Sequence, residues 1–517
     1  MKQRGAVKME ATGIEIHLAW FDWIIIFLYL AGMICVGLFF RKKQQSFEDY
    51  FLASKGLTMP LMVGTLVSTF FGLDTLFGTS EIGFFEGVTG FFAYALPYTG
   101  LYLLMAYLAP RFRELGSNTF VDIIGSSYGK FARAISACSS FFYSINTMEI
   151  MGMGFIFTLL FKIPFWLGVL AAAVIVVLYT TSGGLWAVAV TDMIQFAIMT
   201  ISLGIALLAC WRNLGGYDGI FSGLSAYLDG DPRYFFSPSG GYLTAGIIAA
   251  YALTSLAVLC EPAFLHRIFA SRTPKEARRA LLISTPIWSA YEFACCMLGL
   301  AAAAAVGLGI IGKPHANQAL MAVAARYLPP GLIGLFLAGV LAAAMSTADS
   351  YFLVSSGNLV YDLYRPLFKP DLSEKKLLAY SKRAVIISAA VSVALSFYFE
   401  RIMGVWVFQA SILINTVLIP LYAAVFMKKL PKNRLSGSLA TATGFFGTIA
   451  YYLLVTTAGH FSEEWETMVL PLTIGGHRVE LWQEYGIFLI PPFVLLAFII
   501  GQLCGKDRCP ELAKEAL

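Results

Sequence analysis

The chain has 517 residues, 58% of them apolar and 13% charged, with a mean hydropathy of +0.73 and a formal charge of +5. A soluble domain carries roughly 25% charged residues, so long apolar runs with so few charges describe a polytopic, all-α membrane protein. The small positive charge lies in short loops and points to no nucleic acid, and the eight cysteines lack metal-ligand spacing or the look of a disulfide framework.

In chain order, the apolar pattern predicts thirteen spans: 19–40, 59–84, 89–109, 130–161, 164–182, 186–212, 242–269, 280–311, 331–361, 381–400, 403–427, 435–456 and 487–505. The first run is long enough to cross a bilayer, so no cleavable leader is expected. Basic residues gather in alternate loops, as in Arg41-Lys42-Lys43, Arg111 and Arg113, Arg267 to Arg279, Lys375-Lys376 and Lys428-Lys429. That bias places the N-terminal tail 1–18 outside and the tail 506–517 in the cytoplasm, with the chain in the plasma (inner) membrane. The connections 213–241 and 457–486 then lie outside, the second carrying Glu463, Glu464 and Glu466. The short C-terminal tail holds no catalytic or nucleotide-binding domain, and no Gly-rich phosphate cradle follows a predicted strand.

Two spans look interrupted. The run from Met59 carries Gly64, Gly72, Gly78 and Gly83 with Asp74 at mid-depth, and the run from Tyr242 carries Glu261-Pro262. Interruptions in corresponding places of two halves point to an inverted-repeat secondary transporter, while glycine packing and a proline kink also occur in ordinary membrane helices.

The segment Gly331 to Tyr364 places Ser346-Thr347-Ala348-Asp349-Ser350 inside an apolar helix. Such polarity is costly in hydrocarbon and marks ion or substrate pathways. Ala343, Ser346, Thr347 and Ser350 share one helical face, with Asp349 about 60° from Ser346. Oxygen donors without His or Cys suit a hard alkali cation. A single helix supplies too few oxygens, so an unwound helix with free carbonyls must supply more. Bonding of the hydroxyls back to the preceding turn is the other reading.

Asp74, Glu149, Asp192, Glu261, Glu292 and Gln409 also fall at membrane depth, and no Lys or Arg is predicted mid-span to pair with the five acids. Buried carboxylates without a partner bind protons or cations or face a water-filled cavity. Glu81 and Glu86 are expected to be solvated at the outer end of their helix. The histidines, His266 among them, are expected in or near loops, and no nucleophile–base pair or metal cluster suggests an enzyme.

Three stretches resemble the sodium/solute symporter family, which includes carriers of proline, pantothenate, sialic acid and sugars. They are GGLWAVAVTDMIQ from Gly183, LAGVLAAAMSTADSYFLVSSGNLVYDLY ending at Tyr364, and the weaker DYFLASKGLTMPLMVGTLVSTFFGLDTLFGTSEIGFFEG from Asp49. The resemblance implies a LeuT-type fold: one helix, then inverted five-helix repeats at 59–212 and 242–427, then two helices within 435–505. It implies sodium bound by the carbonyls of Ser68, Phe71 and Ala343 and the hydroxyls of Ser346 and Thr347. Asp192, Asp349 and Ser350 would form a second sodium site or an exit relay. Solute would meet Phe70, Asp74, Thr75, Glu149, Glu261, Glu292 and Gln409. The third core helix, SSFFYSINTMEIMGMGF, lacks the basic residue that carriers of carboxylates can use there, and Glu261 replaces a neutral polar residue. The expected solute is therefore zwitterionic or cationic, such as an amino acid, amine or polyamine. A sugar or polyol carrier, proton coupling, and a sensor acting through a separate partner are the alternatives. Sodium is the expected coupling ion, with no organic cofactor, and the oligomeric state is open.

Overall fold

The computed structural model describes residues 16–40, 46–237, 245–314, 318–397, 402–427, 432–462, 467–474 and 477–505. The two tails beyond residue 18 and residue 505, the basic residues at 41–43 and 428–429, His315 and the acidic residues at 463, 464 and 466 lie wholly or mostly outside these. The described chain is almost entirely helical. Helix α1 (Trp20–Phe40) precedes α2 (Phe47–Leu52), then α3 (Met59–Thr69), α4 (Leu73–Glu86), α5 (Leu96–Glu114), α6 (Phe120–Tyr128), α7 (Lys130–Ser144) and α8 (Thr147–Phe161). Then come α9 (Phe165–Asn213), α10 (Gly216–Leu228), α11 (Ala245–Thr254), α12 (Pro262–Ala270), α13 (Pro274–Gly307) and α14 (Ala319–Tyr327). The rest are α15 (Leu332–Gly357), α16 (Arg365–Phe368), α17 (Glu374–Ser396), α18 (Ile402–Phe426), α19 (Arg434–Ala458), α20 (Gly486–Leu489) and α21 (Pro491–Cys504).

Among the described residues, eleven helical segments are long and apolar enough to cross a membrane, and the pair α3–α4, bent by 53° at its break, makes twelve. The expected thirteenth, Phe165–Thr181, is an apolar stretch of 17 residues. At 1.5 Å per residue it reaches roughly 26 Å, short of a hydrocarbon core of about 30 Å. It runs into the next span through Gly184, whose φ of 57° is open to glycine alone at low cost. The Gly183-Gly184 pair of the first motif is thus the joint between two spans.

Helix α15 runs through the centre, packed along α9 and flanked by α1, α3 and α17, while α13 packs on α4 and α5. Its other end is pinned by Asp22, whose carboxylate accepts from Gly331 N at 2.6 Å and Gly334 N at 2.9 Å. A Cβ at Gly299 would sit 2.0 Å from Ser80 O, so small residues let α13 and α4 touch backbone to backbone.

The two long connections are structured. The first forms α10. The second forms an antiparallel sheet, β1 (His460–Ser462), β2 (Thr467–Ile474) and β3 (His477–Trp482), with Phe461 opposite Met468 and Leu470 opposite Leu481. The sequence reading had placed no structure there. Two further expectations are corrected. Glu86 is buried, 7% exposed, and His266 is buried in α12, packed on the Phe51 ring.

Candidate functional site

Three of the apolar helical runs are broken. Between α3 and α4 the chain unwinds over Phe70 to Gly72, and Glu261 ends the second break by capping α12, accepting from Ala263 N at 3.1 Å and from Phe264 N. The third break, at Ile145-Asn146 between α7 and α8, carries neither Gly nor Pro and was not expected. Helix ends buried in apolar surroundings need partners for their free N–H and C=O groups. Glu149 supplies them to α4 from a neighbouring helix, both its oxygens accepting from Leu73 N, at 2.9 and 3.0 Å. Gln409 supplies them to α7, its amide donating to Phe142 O at 2.9 Å and Ile145 O at 3.1 Å.

Just before the first break, α3 turns its carbonyls toward α15. Ser346 Oγ donates to Ser68 O at 2.9 Å and lies 3.0 Å from Ala343 O. Thr347 Oγ1 lies 3.0 Å from Thr69 O and 3.0 Å from Ala343 O. Two hydroxyls and three carbonyls from two helices thus converge, four of the five belonging to the expected sodium set, and Ser346 Oγ also lies 2.8 Å from Ala342 O in its own preceding turn. Thr69, which sequence reasoning missed, provides the fifth. Phe71 is buried and meets the Tyr291 ring edge-on at 4.7 Å. This donor set is all oxygen and neutral, the chemistry a hard monovalent cation requires.

Asp192, Asp349 and Ser350 come together about one helical turn away, but not alone. Arg267, assigned by its position to a loop, is fully buried in α12. Its Nη2 donates to Thr69 Oγ1 at 2.9 Å and to Ser350 Oγ, and lies 3.9 Å from Asp192 Oδ2. Thr65 donates to Asp192 Oδ2, and Ser68 Oγ to Asp192 O at 2.7 Å. Asp192, one of the five acids, therefore has a basic partner, which corrects the expectation that none of them would.

The remaining expected residues surround the breaks. A Cβ on Gly72 would lie 2.2 Å from Glu149 Oε1, 2.7 Å from Asp74 Oδ1 and 2.9 Å from Thr347 Oγ1. Only glycine lets Asp74, Glu149 and the Thr347 hydroxyl crowd the same backbone atom. Asp74 and Glu149 thus face the same backbone at Gly72. Thr75 Oγ1 reaches Phe70 O at 3.4 Å and Trp288 Nε1 donates to the same carbonyl at 2.9 Å. Glu292 accepts from Thr79 through one oxygen, and its Oε1 has no hydrogen-bond partner among the described residues. Aromatic rings cluster around Trp288 and Trp406. Tyr98 and Tyr102 pack on Trp288 at 5.8 and 4.9 Å, and Tyr98 and Tyr94 pack on Trp406 at 5.9 and 5.2 Å. On the α3 side, Phe70, Phe264 and Trp288 border a narrow apolar cleft.

A family model described as the sodium:solute symporter family matches residues 50–442. The chain is 24% identical to a "Sodium/glucose cotransporter" of Vibrio parahaemolyticus over 409 residues, 74% of this chain and 75% of that protein. It is 25% identical to a "Sodium/pantothenate symporter" of Haemophilus influenzae over 378 residues, 71% of this chain and 77% of the relative. A similar match, 25% over 390 residues, covers 71% of this chain and 76% of the "Osmoregulated proline transporter OpuE" of Bacillus subtilis. The fold matches a solved Na+-coupled sialic acid symporter, described as substrate-bound and outward-open, with a TM-score of 0.75 at 16% identity. That match covers 95% of this chain and 98% of the other.

Proposed function

This chain belongs to the sodium:solute symporter family, and from that premise we propose that it imports a small zwitterionic or cationic solute, driven by sodium, by alternating access. It is a transporter and not an enzyme. The observation that carries the sodium assignment is the convergence of the Ser346 and Thr347 hydroxyls with the Ser68, Thr69 and Ala343 carbonyls at a helix break. In the proposed cycle sodium enters from outside and bridges α3 to α15. The bridge holds the break in the shape that receives solute; the bundle then rocks and the ion leaves toward the cytoplasm. One sodium moving down 100 mV supplies about 2.3 kcal/mol, roughly a fifty-fold solute gradient, since 1.4 kcal/mol is tenfold.

Carboxyls and aromatic faces around the breaks support a solute with an ammonium group. Asp74 and Glu149 face the same backbone at Gly72, Glu292 Oε1 has no hydrogen-bond partner among the described residues, and tyrosine and tryptophan faces attract cations. Counterflow over a solute panel tests this: saturable uptake of amines or amino acids is expected, and preference for a monocarboxylate would refute it. A second reading rests on a specific observation. Glu149, Glu261 and Gln409 already bond backbone groups, so a neutral polyol trading hydroxyls for those bonds would also be served. Competition by a sugar but not by an amine in the same panel would favour it. The proposed orientation, N-terminus outside and C-terminus cytoplasmic, is tested by a C-terminal reporter that is active only in the cytoplasm.

A further inference from the structure

We infer that the short helix α2 is a gate over the cytoplasmic way out of the ion site, with the Phe51 ring as its plug. The inference rests on the alternating access and the orientation proposed above.

The face of α15 that carries Ala343, Thr347 and Ser350 continues at the same helical spacing through Val354 to Gly357. Gly357 lies about ten residues beyond Thr347, roughly 15 Å along the axis. There the Phe51 ring rests on the backbone: a Cβ on Gly357 would lie 2.3 Å from it, so any side chain at that position would push the ring aside. Phe51 is buried although it belongs to a helix of only 6 residues. Beside the ring, Thr119, His266, Val354 and Asn358 border a small cavity of which Phe51 is one wall. His266 Nδ1 has no hydrogen-bond partner among the described residues. A gap with polar walls, closed by one ring, departs from the close packing of an ordinary interior and has the form of a barred exit.

Helix α2 is tied by hydrogen bonds to α12 and meets α15 with its rings. Its start is fixed by a capping box, Ser46 Oγ accepting from Asp49 N at 3.0 Å and Asp49 Oδ2 from Ser46 N at 3.0 Å. His266 Nε2 of α12 donates to Phe51 O. Just after α2, Leu57 N donates to Ala270 O at 3.2 Å and Leu57 O accepts from Arg272 N at 3.0 Å. Toward α15 and the π-helix that follows it, Asn358–Tyr364, Phe51 covers Gly357 and Phe47 stacks on Tyr361 at 5.0 Å. Stacked rings can part without leaving a buried polar group unpaired, whereas broken backbone bonds cannot. Helix α2 therefore travels with α12 and leaves α15 when the bundle rocks. Between α2 and Leu57, the residues Ala53, Ser54 and Lys55 hold φ of 49°, 53° and 53°. Left-handed backbone at three successive residues with a Cβ is costly, and such strain is kept at switch segments.

Labelling of Val354→Cys by a membrane-impermeant maleimide, read at that position by mass spectrometry in inverted and right-side-out membrane vesicles, tests the gate. From the cytoplasmic face, labelling should be slow in sodium and at least about tenfold faster once Phe51→Ala is added; from the outer face it should stay slow in both. An unchanged cytoplasmic rate in Phe51→Ala, or an equal rise from both faces, would overturn the inference. A rise confined to the outer face would refute the proposed orientation, and the inference falls with it. A cytoplasmic rise in Phe51→Ala with sodium and potassium giving equal rates throughout would leave the gate standing and refute sodium as the ion that holds it shut. Should Phe51→Ala not fold, Phe47→Ala, which frees the same helix from Tyr361, should raise the cytoplasmic rate, and no rise there overturns the inference.

Discussion

Glu149 has two proposed jobs, and two substitutions separate them. Its carboxylate caps α4 through Leu73 N and, with Asp74, faces Gly72, where solute is proposed to bind. In Glu149→Ala the α4 terminus loses its acceptor, worth about 1 kcal/mol for a cap, and its anion, worth about 0.3–2 kcal/mol at a helix N-terminus. A stability loss of about 1–3 kcal/mol follows. Glu149→Gln keeps one acceptor oxygen and the shape, so its stability loss should stay below about 1 kcal/mol. A solute ammonium bonded to the carboxylate would lose a hydrogen bond to a charged group, about 1.5–3 kcal/mol. That converts to an increase in KM of about tenfold to a hundredfold. Thermal unfolding in detergent and uptake kinetics in proteoliposomes read the two effects separately. If Glu149→Gln leaves KM unchanged and loses as much stability as Glu149→Ala, Glu149 is a helix cap and no part of solute recognition.

Three further outcomes are expected. Gly72→Ala places a methyl 2.2 Å from Glu149 Oε1 and 2.7 Å from Asp74 Oδ1, so uptake should fall at least about tenfold in a chain that still folds; near-normal uptake would contradict the crowding at the break. Asp22→Ala strips the acceptor from Gly331 N and Gly334 N and should cost about 1–3 kcal/mol, read by thermal unfolding with KM unchanged. Sodium at a hundred times its dissociation constant should stabilise the wild type by about 2.7 kcal/mol, while potassium should not, and Ser346→Ala should lose the effect.

The proposed ion site was legible because hydroxyls and a carboxylate inside an apolar helix have few inexpensive explanations. Ser346, Thr347, Ala343 and Ser68 meet as expected, and the Gly183-Gly184 pair marks a real joint. What escaped depends on distant partners. Arg267 sits near a predicted span end, where a basic residue reads as a loop charge. Its burial is tolerable only because Thr65, Thr69, Asp192 and Ser350 reach it from three other helices, and no local pattern records that. The break at Ile145-Asn146 has no Gly or Pro signal, and its freed carbonyls are taken by Gln409, more than two hundred residues on. The Phe461 to Trp482 sheet follows the same rule. Its strands are short, one contains Pro471, and pairing rather than alternation defines them. Two acids expected to face solute, Glu149 and Glu261, turn out to hold helix ends, a role that a list of polar residues in apolar runs does not reveal.

The central claim is that sodium, held between α3 and α15, drives solute into the cell. Solute uptake into proteoliposomes, measured at fixed pH with an inward sodium gradient, tests it most directly. The account predicts accumulation that requires sodium, rises with an inside-negative potential, and is lost in Ser346→Ala. Accumulation that persists in sodium-free potassium buffer, or that Ser346→Ala leaves unchanged, would contradict it.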